Sequence, residues 1–250
     1  MKELKLFKYS LENGILSEYL ENLIKTSNSY LLVRKLFFII CFPLIKTFTK
    51  PSKKTLMFYK WITTNGDNKI TNFPLNSNSV VFEIGGYLGH FSQRIINRFD
   101  SRVFIFEPLK VYFDFLKLKF HDNPKVKMYN FGLGAENSTK YLSIAGSGSS
   151  FYKNLPFQEK VKIRKFSDFF IKSGLNSIDH VMINIEGGEY DLIPNMIKMK
   201  LLNKCKYIQI QFHDFMSDSS NKRQQILKSI SKTHDKVYSY PFVLEGFVKK

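Results

Sequence analysis

Short apolar segments alternate with amphipathic segments from residue 79 onward, and each apolar segment stops at glycine or at a polar residue. The apolar segments predict strands over residues 80–84, 103–106, 126–131, 181–185 and 207–212. The segments between them predict helices over residues 88–99, 111–120, about 189–198 and 221–233, and a hairpin is expected over residues 237–248. This alternation indicates an α/β fold with a doubly wound, mostly parallel sheet, which binds ligands at the carboxyl ends of its strands.

The length of 250 residues fits one α/β domain with an appendage. We predict an N-terminal helical extension over residues 1–75, where Leu11, Ile15 and Tyr19 recur at helical spacing, and the α/β domain over residues 76–250. The apolar run 36–45 has basic neighbours but is shorter than the ~20 residues that span a bilayer. A buried helix is favoured for this run, although an interfacial helix on an anionic membrane fits the same pattern.

The chain is strongly basic, with 38 Lys and Arg against 21 Asp and Glu and a net charge of +17. Such a surplus attracts nucleic acid, acidic lipids or sugar phosphates, but it also fits a solvated lysine-rich surface. The two cysteines, Cys41 and Cys205, form neither a CxxC pair nor a Cys/His cluster with metal spacing, so no metal site is predicted. Together with the lack of a signal-peptide pattern, this predicts a cytoplasmic protein, with peripheral contact at the inner face of the membrane left open.

The first predicted strand ends in a glycine-rich turn, residues 83–89, that leads into a helix. A dinucleotide fingerprint needs GxGxxG, and here Ile84 stands where its first glycine belongs. The acid before the turn, Glu83, would repel a pyrophosphate but could pair with a ligand ammonium. The helix N-terminus suits a ligand carboxylate. The turn therefore favours S-adenosylmethionine over a nicotinamide dinucleotide, with an ordinary glycine turn as the alternative.

The second predicted strand ends at Glu107-Pro108, and Glu107 lies 18 residues after Gly89. An acid at this strand end is placed to accept hydrogen bonds from ribose hydroxyls. The alternative is that Glu107 is a surface or helix-capping acid.

Polar residues also end the later strands of the predicted sheet. Period two along a strand puts Asn184 and Glu186 on the same side, at the carboxyl end where a substrate would lie. Glu186 could act as the base for a hydroxyl or cap the next helix, and Asn184 could hold the substrate or the methyl donor. On the next strand, His213 is a candidate proton acceptor, or a structural histidine that ties down a loop.

Taken together, these strand ends resemble the FkbM family of S-adenosylmethionine-dependent methyltransferases. The matching segments are residues 83–89, 106–108, 132–134, 149–150 and 184–189. The resemblance implies the class I methyltransferase fold, a Rossmann-like sheet of seven strands with one antiparallel strand. It implies that Glu83, Gly85 and Gly89 contact the methionine part of the donor, that Glu107 binds the ribose and that Leu133 flanks the adenine. By position, the expected donor-binding set also includes Gly86, Tyr87, Pro108 and Ser150.

The sequence departs from the common family pattern at two strand ends. The family often has Asp-x-Gly-Ala-Asn in the turn, and here Gly86-Tyr87 replaces Ala-Asn. The family often has Lys-x-Asp-x-Glu-Gly at the later strand end, and here Met182 and Asn184 stand at the Lys and Asp positions. Glu186 is the acid that this leaves for catalysis.

The function that the resemblance implies is transfer of a methyl group to a hydroxyl of a small-molecule or sugar acceptor in surface polysaccharide or glycan synthesis. One alternative is a non-catalytic protein that keeps the fold and binds a membrane surface. Another is a nucleic-acid methyltransferase, which is disfavoured because Asn184 is followed by Ile-Glu-Gly and not by Pro-Pro and an aromatic residue.

Overall fold

The computed structural model describes residues 2–13, 15, 18–20, 32–36, 39, 40, 43, 50–143 and 158–250. Within these ranges, seven strands form the main sheet, in the order β3-β2-β1-β7-β8-β10-β9. Its strands are β1 (Val80–Ile84), β2 (Arg102–Phe106), β3 (Val126–Tyr129), β7 (Ile178–Ile183), β8 (Cys205–Ile210), β9 (His234–Tyr240) and β10 (Leu244–Lys249). Strands β3, β2, β1, β7 and β8 run parallel, and β10 is antiparallel to both β8 and β9. The seven-stranded, mostly parallel sheet expected from the sequence is therefore confirmed.

Helices cover both faces of the sheet. They are α1 (Lys2–Glu12), α2 (Lys53–Thr63), α3 (Gly66–Lys69), α4 (His90–Phe99), α5 (Lys110–Phe120), α6 (Phe166–Lys172), α7 (Glu189–Lys198) and α8 (Ser219–Ile230). One face packs Phe82 and Ile84 against Leu192 of α7, while the other packs Val81 and Ile105 against α4 and α5. Burial on both faces explains why the central strands are mostly apolar, with Glu83, His180 and Gln209 as their buried polar residues.

The strand ends differ from the sequence prediction at three places that matter for the site. Strand β3 ends at Tyr129 and not at residue 131, β7 ends at Ile183 and not at residue 185, and β8 ends at Ile210 and not at residue 212. The last apolar residues of each predicted strand lie in the loop that follows. They remain apolar because they pack against the same core: Phe131 and Ile185 contact it, and Phe212 is part of it.

A second sheet, absent from the sequence prediction, lies beside the main one. Within the described residues it has three strands in the order β4-β6-β5: β4 (Gly132–Gly134), β5 (Ser138–Ser143) and β6 (Gln158–Lys165). Strand β6 alternates buried Val161 and Ile163 with exposed lysine and arginine, as expected for a strand with one solvated face. This small sheet forms a wall beside the carboxyl ends of β1 and β2.

The N-terminal helix α1 packs on α5. Leu6, Ile15 and Tyr19 are buried in a cluster with Phe115 of α5, and the Tyr9 hydroxyl donates a hydrogen bond of 3.0 Å to the Val111 carbonyl. Most of the apolar run 36–45 lies outside the described residues, as does Cys41. Among the described residues, no helix has the length and apolar character needed to cross a bilayer.

Candidate active site

A cavity of about 490 Å³ opens at the carboxyl ends of β1, β2 and β7, between the main sheet and the small sheet. Its wall contains these residues of the predicted site: Gly85, Tyr87, Glu107, Pro108, Leu133, Asn184 and Glu186. The predicted residues Glu83, Gly86, Gly89 and His213 are not in the described wall, and Ser150 lies outside the described residues.

The glycine turn after β1 crosses directly over the loop after β7. Gly85 has a φ of 94°, in the region that favours glycine, and a Cβ built on it would lie 1.9 Å from the Asn184 carbonyl oxygen. The amides of Gly85 and Gly86 both donate to the Phe106 carbonyl, at 3.0 and 3.2 Å. The turn is therefore fixed against β2 on one side and against the Asn184 loop on the other.

Gly86 and Gly89 serve packing and do not face the cavity. A Cβ on Gly86 would lie 2.4 Å from the Ile105 side chain, and a Cβ on Gly89 would lie 2.6 Å from Phe120. Both glycines allow α5 to approach the turn closely, because Leu116 lies next to each Cβ position. Tyr87 does reach the cavity, where its ring packs edge-on against Tyr112 with centroids 4.7 Å apart.

Glu83 is buried below the turn, at 4% exposure. The Ser92 hydroxyl donates to its carboxylate, and burial raises the pKa of Glu83 to about 8, although the Ser92 hydrogen bond opposes this shift. This position braces α4 against β1. Its side chain is not in the described cavity wall, so the ligand contact expected from the sequence stays a prediction.

Glu107 reaches the cavity in the place that the sequence predicts for it. Its two carboxylate oxygens accept the backbone amides of Tyr87, at 2.8 Å, and Leu109, at 2.9 Å. Burial raises the pKa of Glu107 to about 7, partly offset by these backbone hydrogen bonds. Because a carboxylate oxygen accepts more than one hydrogen bond, both oxygens keep acceptor capacity toward the cavity.

The loop after β7 brings Asn184 and Glu186 to the cavity by a different route from the one predicted. Since β7 ends at Ile183, strand periodicity does not set their directions. Instead, the backbone N–H of Asn184 donates a hydrogen bond of 3.0 Å to the Ile84 carbonyl. Glu186 and Gly187 adopt φ values of 47° and 102°. This left-handed turn directs the Glu186 side chain to the edge between the cavity and β8.

Glu186, His213 and Glu189 form a buried network beside the cavity. His213 Nε2 lies 2.9 Å from Glu186 Oε1, and His213 Nδ1 lies 3.0 Å from Glu189 Oε1. Burial by itself would lower the pKa of His213, but the hydrogen bonds and charges of Glu186 and Glu189 raise it to about 9. His213 is therefore an imidazolium at neutral pH, held between two carboxylates.

Glu189 connects the members of this network and is not among the site residues predicted from the sequence. One carboxylate oxygen accepts the Gly187 amide at 2.8 Å, and the other accepts the His213 amide at 2.9 Å in addition to its ring N–H. The side chain is fully buried at the first turn of α7, where the helix dipole favours a negative charge. The sequence signal that could have identified Glu189 is its position three residues after Glu186, at the start of a predicted helix.

Three buried polar atoms in the cavity wall have no hydrogen-bond partner among the described residues: Asn184 Oδ1, the Tyr112 hydroxyl and the Ser138 hydroxyl. Because they have no partner among the described residues, these three atoms can form hydrogen bonds with a ligand in the cavity. Tyr112 lies on the buried face of α5 with Phe115 and Leu116. A hydroxyl on this otherwise apolar face is the sequence signal that could have identified Tyr112 as a site residue. Ser138 had no such signal, because strand β5 was not predicted.

The parallel sheet with one reversed strand near its edge, and the cavity between a glycine turn and an acid at the second strand end, define a class I methyltransferase. The chain belongs to the FkbM methyltransferase family, because the methyltransferase FkbM domain matches residues 83–240. S-adenosylmethionine is accordingly its methyl donor. No curated protein is significantly similar in sequence to this chain.

Several solved methyltransferase structures share the general fold at low similarity. Fibrillarin of Aeropyrum pernix, in complex with natively bound S-adenosyl-L-methionine, is 10% identical, with a TM-score of 0.41 over 71% of this chain and 70% of that chain. An rRNA methylase from Streptococcus thermophilus is 12% identical, with a TM-score of 0.40 over 70% and 89%. Precorrin-6y C5,15-methyltransferase of Geobacter metallireducens is 13% identical, with a TM-score of 0.41 over 69% and 72%. At this level, the similarities carry no argument about the acceptor.

Proposed function

We propose that this chain transfers a methyl group from S-adenosylmethionine to a hydroxyl of a sugar, in the synthesis of a surface polysaccharide or glycan. The observation that carries the proposal is the Glu186 carboxylate, which lies in the wall of the donor cavity and is paired with the buried imidazolium of His213. A hydroxyl must lose its proton as it is methylated, so an O-methyltransferase benefits from a fixed base at this place. The choice of a sugar follows the resemblance to the family.

The described residues fit the donor. Its ammonium would find an acceptor in the unpartnered Asn184 Oδ1, and its ribose hydroxyls would find acceptors in the two carboxylate oxygens of Glu107. Pro108 and Leu133 would border the adenine, since both line the same part of the cavity as Glu107. These assignments use the free hydrogen-bonding capacity that the cavity offers.

When bound, S-adenosylmethionine supplies a methyl group already activated on a sulfonium, so the protein has to orient the acceptor and remove its proton. We assign proton removal to Glu186 and not to His213, because the imidazolium has no lone pair left to accept a proton. His213 instead holds the Glu186 carboxylate in place. Both side chains are largely buried, at 15% and 5% exposure, and charge interactions are stronger where water is excluded.

The test is transfer of a radiolabelled methyl group from S-adenosylmethionine to a panel of nucleotide sugars and oligosaccharides, with an rRNA fragment for comparison. We expect labelled sugar ethers, and we expect Glu186→Gln to lower the turnover number by ~100-fold or more while the donor affinity stays unchanged. Glu12→Gln, the same change on the exposed side of α1, is the matched control. Label on the RNA and on none of the sugars would contradict the proposal, as would full activity of Glu186→Gln.

A further inference from the structure

A set of aliphatic side chains in the N-terminal extension is exposed to solvent. Residues 32–36, 39 and 40 are helical, and five of them are aliphatic residues with exposed fractions between 46% and 63%. We call these five residues the aliphatic face: Leu32, Val33, Leu36, Ile39 and Ile40. Their intervals of three and four residues place them on one side of a helix. The buried helix that the sequence favours for the run 36–45 is therefore wrong for the described aliphatic residues of that run.

Two cationic side chains of the same segment bond to the domain. The Arg34 guanidinium pairs with the Asp67 carboxylate on α3, and Lys35 Nζ donates a hydrogen bond of 2.8 Å to Asn65 Oδ1. In a helix that packs on a protein core, the apolar side faces the core and the charged side faces water. This segment has the opposite orientation, because its charges contact the domain while its aliphatic face is left in solvent. Clustered aliphatic side chains in solvent mark a surface that contacts a partner.

The aliphatic face lies in a long stretch of the chain that has no acidic residue. Between Asn22 and Gly66 the sequence has no Asp or Glu, and its eight cations are residues 25, 34, 35, 46, 50, 53, 54 and 60. Lys50 and Lys53 are exposed. Anionic lipid headgroups attract lysines near the surface, and the acyl region just below them accepts leucine, valine and isoleucine side chains. The charge and the apolar surface together therefore match an anionic bilayer.

Other partners match only one of these two features. A second copy of the chain would offer an apolar surface, but it would bring the same positive charge against this one, and like charges oppose association. A nucleic acid would be attracted by the lysines, but its bases are bound by aromatic rings or arginine planes and not by aliphatic side chains.

We propose that the aliphatic face docks on an anionic membrane surface. Its five side chains enter the boundary between headgroups and acyl chains, and Lys50 and Lys53 lie near the lipid phosphates. This inference does not depend on the proposed function, because it concerns the place where the protein works and not the reaction that it performs.

Sedimentation with lipid vesicles tests the docking. The full chain is mixed with vesicles of phosphatidylcholine alone, or with vesicles in which about one third of the lipid is phosphatidylglycerol. We expect a partition coefficient ~10-fold or more higher on the anionic vesicles, which falls as salt is added because salt screens the lysines. No binding to the anionic vesicles, or equal binding to both kinds, would overturn the proposal.

A double variant of the aliphatic face measures its own contribution. Val33→Ser with Ile40→Ser should lower the partition coefficient on anionic vesicles by ~10-fold or more. The matched control is Ile171→Ser with Val237→Ser, which makes the same change at side chains that are 73% and 52% exposed elsewhere on the surface, and it should bind like wild type. Equal binding of the two double variants would contradict the assignment. Circular dichroism establishes that each variant is folded.

Charge reversal separates local attraction from net charge. Lys50→Glu with Lys53→Glu should weaken binding to anionic vesicles by ~10-fold or more. Lys228→Glu with Lys232→Glu changes the net charge equally at exposed positions in and after α8, and its loss should be smaller because salt screens distant charges. An equal loss in the two variants would show a general attraction of the whole chain and would overturn the assignment to this face.

The remaining partners and the methyl transfer are measured separately. In sedimentation velocity without lipid, a dimer that Val33→Ser with Ile40→Ser abolishes would assign the face to a second copy and overturn the proposal. Retention of RNA that the same variant loses would also overturn it. Calorimetry with S-adenosylmethionine should give this variant the wild-type dissociation constant, so a failure of donor binding and a failure of docking are distinguishable.

Discussion

The two halves of the sheet's carboxyl edge are built in opposite ways. At the ends of β1 and β2, the glycine turn and Glu107 border a cavity in which the Tyr112 and Ser138 hydroxyls lack partners within the described residues. At the ends of β7 and β8, Glu186, His213 and Glu189 already satisfy one another. The first half therefore has donor and acceptor atoms that a ligand can use, whereas the hydrogen bonds of the second half are formed without a ligand.

This difference separates two tasks that one enzyme has to perform. Binding of the donor can use hydrogen bonds that form when it enters, and these contribute to affinity. A proton acceptor must be held in one geometry at the moment of reaction, and a network that is already complete does this without reorganisation. Substitutions in the two halves should therefore change different quantities, and the halves meet where Gly85 touches the loop of Asn184.

The largest effect on donor binding is expected for Gly85→Ala, because this substitution disrupts the contact between the two halves. The added methyl would meet the Asn184 carbonyl at 1.9 Å, and the φ of 94° adds backbone strain of about 1–3 kcal/mol. We expect donor binding to fall below detection in calorimetry and the melting temperature to drop.

Gly174→Ala separates the effect of backbone strain from the effect of the steric clash, because Gly174 has a φ of 69° but open space around its Cβ position. This control should lose some stability while its donor affinity stays the same. Wild-type donor affinity in Gly85→Ala would show that the contact between the halves is not needed.

An intermediate effect is expected for Glu107→Ala, which acts on the donor half alone. The change removes both ribose acceptors, and we expect a donor affinity about 10-fold weaker, or about 1.4 kcal/mol. Calorimetry measures this, with Asp114→Asn, which lies on α5 outside the cavity wall, as the control. Equal affinity of Glu107→Ala and wild type would refute the ribose assignment.

The smallest effect at neutral pH is expected for Glu189→Gln, in the acid half. The amide oxygen can still accept the His213 N–H groups, but its NH2 group cannot accept the Gly187 amide, and one of the two charges that raise the pKa of His213 to about 9 is lost. In the wild type, the imidazolium and its pairing with Glu186 are lost as the pH rises through about 9. In Glu189→Gln, the basic limb of the kcat profile should move about 1–2 pH units lower, with donor affinity unchanged.

Superimposable pH profiles of Glu189→Gln and wild type would show that Glu189 has a purely structural role. Glu189→Asp, which keeps the charge on a shorter side chain, should restore part of the wild-type profile. Such a partial recovery would identify Glu189 as a positioning residue that acts through His213.

The sheet could be predicted because each central strand is mostly apolar and is followed by a polar residue or glycine. Glu107 could be placed for the same reason, since its position follows from the end of β2. The direction of Glu186 could not be predicted, because it depends on two consecutive left-handed residues after β7. The pairing of Glu189 with His213 joins residues 24 positions apart and depends on side-chain packing that no local pattern encodes.

The small sheet was missed for a different reason. Strand β4 has three residues, two of them glycine, and such a segment has little strand character of its own. Strand β6 does carry an alternating pattern around Val161 and Ile163, which would have predicted it. Its partners are set by long-range pairing, so the wall that it gives the cavity was not visible in the sequence.

The packing of α1 on α5 bears on how the protein can be shortened for experiments. The family match begins at residue 83, and the domain boundary predicted from the sequence follows residue 75, so residues 76–250 are an obvious fragment to express alone. Yet α5 carries Tyr112 in the cavity wall, and Leu6, Ile15 and Tyr19 cover the neighbouring Phe115. A chain cut at the boundary would expose that apolar surface and loosen one side of the cavity, so the N-terminal helix should be kept in any fragment meant to bind the methyl donor.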